Sequence, residues 1–446
     1  MAHSVNHRAI RWLRAQLPEL VAGGVISSDS ATAIDRHYQE SEARAPNLGF
    51  AILAAVGSAL VGAGIILLIA HNWDELSRPT RCLLAFLPLI LAQIPGLFVL
   101  LRRNDSPAWR ESVAIFDVAA VATAISLVSQ TYQIQGSFAD FMRIWLLLSI
   151  PIVYLFRTNF GALAYIIGSA VWMLSKGNWS FNRPGEMFFW LLLLLVIPFY
   201  VGVVRQRSSV WTFRVLSMAL IAASAVGLGV TIDFTRSDLG GIAFAGFFAV
   251  IYLSGMIRQG GASESLNVLS VLGGLGIAIT AVALSFEALW HLRPPWADPS
   301  FEQEVGIGIA LCFPIATVAL TAWSWVRRTI SFSISAASIP IVAVIARFVA
   351  GAARDTARPA DNQYAFAAAV LFNLYALVLG IEFLVRGIRA GSVARANFGL
   401  LVIAALALAR FFDSDLSFVA RGVGFIAVGA GFLIANVVFF RKRVQT

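Results

Sequence analysis

The sequence is dominated by a succession of apolar runs separated by short polar segments. An α-helix of roughly 20 residues crosses the hydrocarbon core of a bilayer, and backbone polar groups cannot stay unpaired there, so each run predicts a spanning helix. About fourteen runs reach the length that spanning requires. They lie near residues 48–70, 80–101, 111–129, 140–156, 159–175, 187–204, 211–231, 239–257, 266–290, 304–326, 329–349, 363–385, 395–411 and 417–440. The predicted fold class is therefore an all-α, polytopic transmembrane helical bundle.

The composition excludes an ordinary soluble enzyme and a disordered chain, because 59% of the residues are hydrophobic and only 13% are charged. The net charge is +9, and Lys176 and Lys442 are the only lysines among 33 basic residues. The arginines are scattered between the apolar runs and do not cluster on a soluble module, so no nucleic-acid partner is expected. Cys82 and Cys312 lie inside apolar runs, which does not suggest a disulfide framework or a cysteine metal site.

The distribution of arginine predicts the orientation of the chain. Cytoplasmic loops of membrane proteins carry an excess of basic residues. With an even number of spans and a cytoplasmic N-terminus, the inner segments hold about twice as many basic residues as the outer ones. We therefore expect both termini in the cytoplasm and a multi-pass protein of the cell inner membrane.

Residues 1–47 are polar and predict a cytoplasmic helical hairpin in place of a signal peptide. Ile10, Leu13, Leu17 and Leu20 recur at helical spacing, and arginines lie mainly on the opposite face. Gly23 and Gly24 are expected to end this helix, and Ser28 or Asp29 to cap a second one. We expect the hairpin to lie on anionic cytoplasmic headgroups of the bilayer, with docking onto the chain's own loops or onto another protein as alternatives.

Small residues recur at four-residue spacing in the first and last runs, as at Ala54, Ser58 and Gly62. Such faces let helix backbones approach closely in a membrane. They predict packing within the chain, and a homodimer or a membrane partner protein is the alternative.

Two polar motifs carry a resemblance to a known family. The first is His71-Asn72-Trp73-Asp74 with Arg78-Pro79 after the first run, and the second is the segment Ser129 to Gly136, followed by Trp145. On these motifs the chain resembles the bacterial membrane proteins grouped as domain of unknown function 2157. The resemblance covers roughly residues 10 to 157 and implies a fold and a compartment but no activity. We accordingly divide the chain into the hairpin 1–47, a first four-span region 48–157 and a ten-span bundle 158–446.

Ionisable and polar groups inside spans are the strongest candidate functional residues, because an intramembrane charge is costly unless it is paired or functional. Asp117 lies well inside the third run. It is expected to face the bundle interior, either paired with an arginine or polar group, or serving as a proton or cation coupling site. Gln93 and Asn373 are expected to hydrogen-bond between helices.

Three arginines lie near the ends of runs. Arg386 follows Glu382 by one turn and predicts a local salt bridge. Arg347 and Arg410 lie near outer ends, where they can snorkel or pair with Glu287, Asp413 or Asp415, and where they could attract an anionic solute or headgroup.

The leading functional hypothesis is binding or transport of a small-molecule or lipid-like substrate. A sensor or scaffold subunit acting with partner proteins is the alternative, and a membrane-embedded enzyme is third, since the sequence holds none of the usual hydrolase, zinc or nucleotide motifs. No cofactor, metal or catalytic residue is assigned. The candidate substrate-binding residues are His71, Asn72, Trp73, Gln130, Tyr132, Gln133, Asp117, Arg347 and Arg410.

Overall fold

The computed structural model describes most of the chain as helices. The described residues are 7–42, 75–175, 186–205, 210–232, 239–259, 267–290, 301–327, 334–351 and 363–413, with a few positions between 423 and 431. No strand occurs within these ranges. The predicted spans near 48–70 and 417–440, with the small-residue faces in them, lie outside these ranges apart from those few positions.

The helices follow one another with short connections. In chain order they are α1 His7–Ala22, α2 Ser28–Glu42, α3 Arg78–Arg102, α4 Pro107–Tyr132, α5 Phe138–Phe156, α6 Asn159–Ser175, α7 Glu186–Arg205, α8 Val210–Ile232, α9 Leu239–Gln259, α10 Val268–Leu284, α11 Phe301–Arg327, α12 Ile334–Gly351, α13 Gln363–Arg389 and α14 Val393–Asp413. Each helix from α3 to α14 overlaps one predicted span. The all-helical class is thereby confirmed for the described residues.

Eight of the described helices, α3, α4, α5, α7, α8, α9, α13 and α14, are long and apolar enough to cross a membrane. Shorter apolar stretches occur in α6, α10, α11 and α12. The total of fourteen spans and the cytoplasmic position of the termini stay predictions.

One predicted span is shorter than expected. The run 266–290 forms α10 only as far as Leu284, and a separate 3-10 turn follows at Glu287–Trp290. The Ser285 hydroxyl donates to the Val282 carbonyl at 2.6 Å, and the Trp290 indole donates to the Leu284 carbonyl at 2.8 Å. These side chains satisfy the last carbonyls of the helix and thereby end it.

The chain divides into two compact units, residues 1–81 and 82–446. In the first unit, α1 and α2 form the predicted hairpin. Gly24 has a φ of +69°, and the Val25 and Gly24 amides donate to the carbonyls of Leu20 and Val21, which is the Schellman arrangement. The predicted glycine stop is confirmed.

The predicted cap of α2 is wrong by one residue. The Ser27 hydroxyl accepts from the Ser30 amide at 3.2 Å, so Ser27 caps the helix in place of Ser28 or Asp29. Ser27, Ser28 and Asp29 all suit a cap, and the exit of the chain from the Schellman turn decides which one is used.

Close backbone approach at glycines holds the second unit together. An added Cβ on Gly273 of α10 would lie 2.4 Å from the Tyr252 amide nitrogen of α9. An added Cβ on Gly399 of α14 would lie 2.4 Å from the Gly380 carbonyl oxygen of α13. Lipid tails are as apolar as leucine, so van der Waals contact at small residues drives helix association in a membrane.

We expect Gly273→Ala to lower the thermal unfolding midpoint in detergent, because the new methyl group meets backbone atoms that cannot move aside. Overpacking of this kind costs about 1–3 kcal/mol. Gly202→Ala in α7 is the matched control, since an added Cβ there meets nothing within 4 Å. Its midpoint should stay equal or rise, because alanine is favoured over glycine in a helix by about 1 kcal/mol. Equal midpoints for the two variants would contradict the packing.

Candidate functional site

The candidate site is built on α4. Ser106 precedes the helix in an extended conformation, and Pro107 occupies its first turn, where the missing N–H costs nothing. The buried face of α4 is made mainly of small and branched residues at helical spacing. Its buried members are Val113, Ala114, Asp117, Val118, Ala120, Val121, Ala124 and Thr131. Asp117 is therefore carried into the protein by the same face that packs the helix.

The Asp117 carboxyl group is buried, with 1% of the residue exposed. Its Oδ1 accepts a hydrogen bond from Gln93 Nε2 of α3 at 3.4 Å. That length is at the upper end for N–H···O bonds, whose usual length is about 2.9–3.0 Å. No arginine or lysine forms an ion pair with Asp117 within the described residues. The carboxyl group thus lies inside a span with one weak amide partner.

Helix α3 meets Asp117 with small residues. Its buried positions are Ala85, Ala92, Gly96 and Val99. An added Cβ on Gly96 would lie 3.5 Å from Asp117 Oδ2 and 3.3 Å from Phe156 Cζ, so the carboxyl group reaches the surface that Gly96 leaves open. Pro95 precedes Gly96 and removes one backbone donor from this turn of the helix.

On the other side of α4, Trp145 of α5 is anchored next to Asp117. Its indole Nε1 donates to the Val118 carbonyl at 2.9 Å. The ring packs against α6, where an added Cβ on Gly168 would lie 2.8 Å from Trp145 Cζ3. These contacts fix the backbone of α4 at the position of the carboxylate.

The loop after α4 has a defined and strained conformation. Gln133 has a φ of +48°, and the amides of Gln133 and Ile134 donate to the carbonyls of Gln130 and Ser129. This is the Schellman arrangement with glutamine in the place that glycine usually takes. Gln130, Tyr132 and Gln133 are all exposed, so the predicted polar loop presents its side chains outward.

The opposite end of α4 is tied to α6. Glu111 accepts from the amides of Asn159 at 2.7 Å and Phe160 at 3.0 Å, and from the Thr158 hydroxyl. The carboxylate satisfies the free donors at the start of α6 and complements the positive end of its dipole. Arg157, with a φ of +49°, makes the tight connection from α5. Gln133 and Arg157 are the two non-glycine residues with positive φ in the described part of the chain.

A second polar cluster lies among α10, α13 and α14. Arg410 Nη2 donates to Ser285 Oγ at 3.1 Å, and its guanidinium carbon lies 4.7 Å from the centre of the Phe286 ring. Asn373 Nδ2 donates to the Ser285 carbonyl at 3.3 Å. Asn373 and Gln93 both bond between helices, as predicted, but in clusters that share no helix.

Arg347 of α12 is 8% exposed. The two alternatives given for it, snorkelling or pairing with Glu287, Asp413 or Asp415, stay predictions. A guanidinium at this level of burial is enclosed by neighbouring helices, because α12 packs against α9, α11 and α13.

The predicted Glu382–Arg386 salt bridge is confirmed, with Arg386 Nε 3.0 Å from Glu382 Oε1. The other carboxylate oxygen accepts from the Ser335 amide at 3.2 Å and from its hydroxyl, at the start of α12. Glu382 thus accepts hydrogen bonds at the start of α12, as Glu111 does at the start of α6.

His71, Asn72 and Trp73 lie outside the described residues, and so does His291. Their expected assembly with the Gln130 to Gln135 loop stays a prediction. Within the described ranges, no group of three or more histidine, cysteine or acidic side chains could hold a metal ion.

Sequence reasoning missed Glu111 and Gly96 as parts of this region, and it named Trp145 only as part of the second polar motif. Glu111 is an acidic residue near the end of a predicted span, and the two-residue connection between α5 and α6 leaves backbone donors that need an acceptor. These two features could have indicated its role. Gly96 gave no signal, because its role depends on which residue of α4 lies opposite.

Comparison with known proteins gives one match. Residues 18–162 match the family described as a predicted membrane protein, DUF2157. The resemblance seen in the polar motifs is thereby confirmed over this segment. No curated protein and no solved structure matches the chain.

The DUF2157 segment contains every described candidate residue except Arg347 and Arg410. Gln93, Asp117 and the Gln130 to Gln133 loop all lie within it, as do Glu111 and Arg157. The region with the buried carboxyl group and both strained residues is thus the region that the family model matches.

We expect Gln133→Gly to raise the thermal unfolding midpoint, since it removes a left-handed non-glycine residue whose cost is about 1–2 kcal/mol. Gln130→Gly, three residues earlier in the helical part, should lower the midpoint, because glycine costs about 1 kcal/mol in a helix. The measurement is thermal unfolding in detergent followed by tryptophan fluorescence. A lower midpoint for Gln133→Gly would show that the glutamine side chain itself stabilises the loop.

Proposed function

We propose that the protein binds and transports a small-molecule or lipid-like substrate across the inner membrane of a bacterium, with Asp117 as its coupling carboxyl group. The observation that carries this proposal is the burial of Asp117 inside a span with Gln93 as its one hydrogen-bond partner among the described residues. A structural carboxylate in a membrane is expected to be paired closely with a cation or several donors. Among the described residues Asp117 has no such support, whereas Glu111 and Glu382 have it.

The helix opposite Asp117 is suited to movement. Pro88 and Pro95 lie inside α3, and each removes a backbone hydrogen bond, which is a common cause of a kink. Only small residues and Val99 are buried on α3, while large side chains such as Leu83, Ile90 and Ile94 are exposed. Helix α3 is continuous, but its two prolines weaken it beside a polar group, and proline-interrupted spans are a recurring feature of substrate and ion sites in transporters.

The exposed Gln130, Tyr132 and Gln133 are proposed to form the outer entrance together with His71, Asn72 and Trp73. They follow α4 at the end that the arginine distribution assigns to the outside. Arg347 and Arg410, which lie in the second half of the chain, are proposed to favour anionic substrates.

Contacts between helix ends support an antiparallel alternation of α7, α8 and α9, which the proposed topology requires. Trp190 at the start of α7 donates to Thr231 at the end of α8, at 3.1 Å. Arg258 near the end of α9 lies over Phe213 near the start of α8. Both contacts join ends that an alternating chain puts on the same side of the membrane.

The proposal is tested in proteoliposomes that enclose a pH-sensitive dye. Mixtures of amino acids, organic acids and amines are added outside, and proton movement that depends on solute is recorded. Asp117→Asn should abolish this movement while the purified protein elutes as the same single species. Asp105→Asn, the same chemical change at an exposed residue of the α3–α4 connection, should leave it unchanged.

Asp117→Asn with full solute-dependent proton movement would contradict the coupling role. Full movement in a variant with a lower unfolding midpoint would mark Asp117 as a structural group. If no solute moves protons through the unmodified protein, the sensor or scaffold alternative takes precedence.

A further inference from the structure

The ends of α7, α8 and α9 carry an arginine cluster that the proposed transport function does not use. Arg205 is the last residue of α7, Arg214 lies in the second turn of α8, and Arg258 lies next to the end of α9. All three side chains are exposed. The connection from α7 to α8 is only residues 206–209 and contains a further arginine, Arg207. The three helix ends are therefore neighbours.

Aromatic packing fixes the position of Arg258 in the cluster. Its guanidinium carbon lies 4.2 Å from the centre of the Phe213 ring. Phe213 is buried and stacks with Tyr200, whose hydroxyl lies 2.8 Å from Ser217 Oγ. A guanidinium on an aromatic face is held by the ring and keeps its N–H donors for another acceptor. Arg258 thus lies over Phe213, the residue that precedes Arg214 in α8.

At this end of the three helices the sequence holds four arginines and one acidic residue, Glu264, which lies in the connection after α9. The only acidic residue in the sequence of α7, α8 and α9 is Glu186, at the other end of α7. Within the described residues, Arg205, Arg214 and Arg258 form no ion pair.

We propose that the ends of α7, α8 and α9 bind the phosphate headgroup of an anionic phospholipid, with Arg205, Arg214 and Arg258 as its ligands. Arginine binds phosphate oxygens through paired N–H donors. The site lies where three apolar helices end, which is the depth of the headgroups. Trp211 and Val210 beside it are 71% and 65% exposed, and side chains of this kind lie against the glycerol and upper acyl region of a lipid. These apolar neighbours favour a lipid over a free phosphate ion.

The test is native mass spectrometry of the full protein released from nanodiscs of phosphatidylcholine with a minority of phosphatidylglycerol. The unmodified protein should retain phosphatidylglycerol selectively. Arg214→Gln with Arg258→Gln should weaken this retention by about tenfold or more, because each lost contact is a charge-assisted hydrogen bond. Arg102→Gln with Arg103→Gln, at the end of α3, is the control with the same loss of charge, and it should retain the lipid.

Two further measurements distinguish the outcomes. The double variant should unfold in pure phosphatidylcholine within a few degrees of the unmodified protein, since both side chains are exposed and the lost contact between Arg258 and Phe213 contributes only about 0.5–1 kcal/mol. Equal loss of lipid from the two double variants would overturn the proposal, because binding would then follow net charge alone. Release of the lipid by millimolar inorganic phosphate would overturn it in favour of a soluble anion. Neither outcome bears on Asp117.

Discussion

In hydrocarbon, every polar group must find its partner inside the protein, and this constraint explains most of the described structure. The backbone satisfies it by forming helices. Helix starts then need acceptors from elsewhere, and two carboxylates supply them, Glu111 for α6 and Glu382 for α12. Tyrosine and tryptophan donors follow the same rule, since the Tyr165 hydroxyl and the Trp145 indole both donate to carbonyls of neighbouring helices. Asp117 stands out against this background because the one hydrogen bond that it makes with the described part of the chain is long and comes from an amide.

The same constraint explains the distribution of small residues. Without a hydrophobic drive between helices, contact area must come from close approach, and glycine provides it along α9, α10, α13 and α14. The α3–α4 contact also uses a glycine, Gly96, but there the neighbours of the added Cβ include a carboxyl oxygen of Asp117 beside the Phe156 ring. Glycine thus has two roles in the structure. In α9, α10, α13 and α14 it allows tight packing of the helices, and in α3 it leaves room for a polar group.

The sequence alone was sufficient for features that depend on local pattern. The twelve runs from 80 to 411 predicted α3 to α14 because spanning length and hydropathy are local properties. The burial of Asp117 followed from the cost of exposing a carboxylate to lipid, and the Glu382–Arg386 pair from helical spacing. Features that depend on distant contacts could not be read in this way. Glu111 and its partners are 47 to 49 residues apart, and the left-handed conformation of Gln133 has no glycine to signal it.

Asp117 is proposed to be a carboxyl group inside the membrane that exchanges protons. Dicyclohexylcarbodiimide tests this proposal most directly, because this apolar reagent partitions into bilayers and adds to protonated carboxyl groups. We expect peptide mass spectrometry of treated membranes to find the adduct at Asp117, and we expect the adduct to decrease as the pH of the medium is raised. An Asp117 that stays unmodified at every pH in the folded protein would contradict the account.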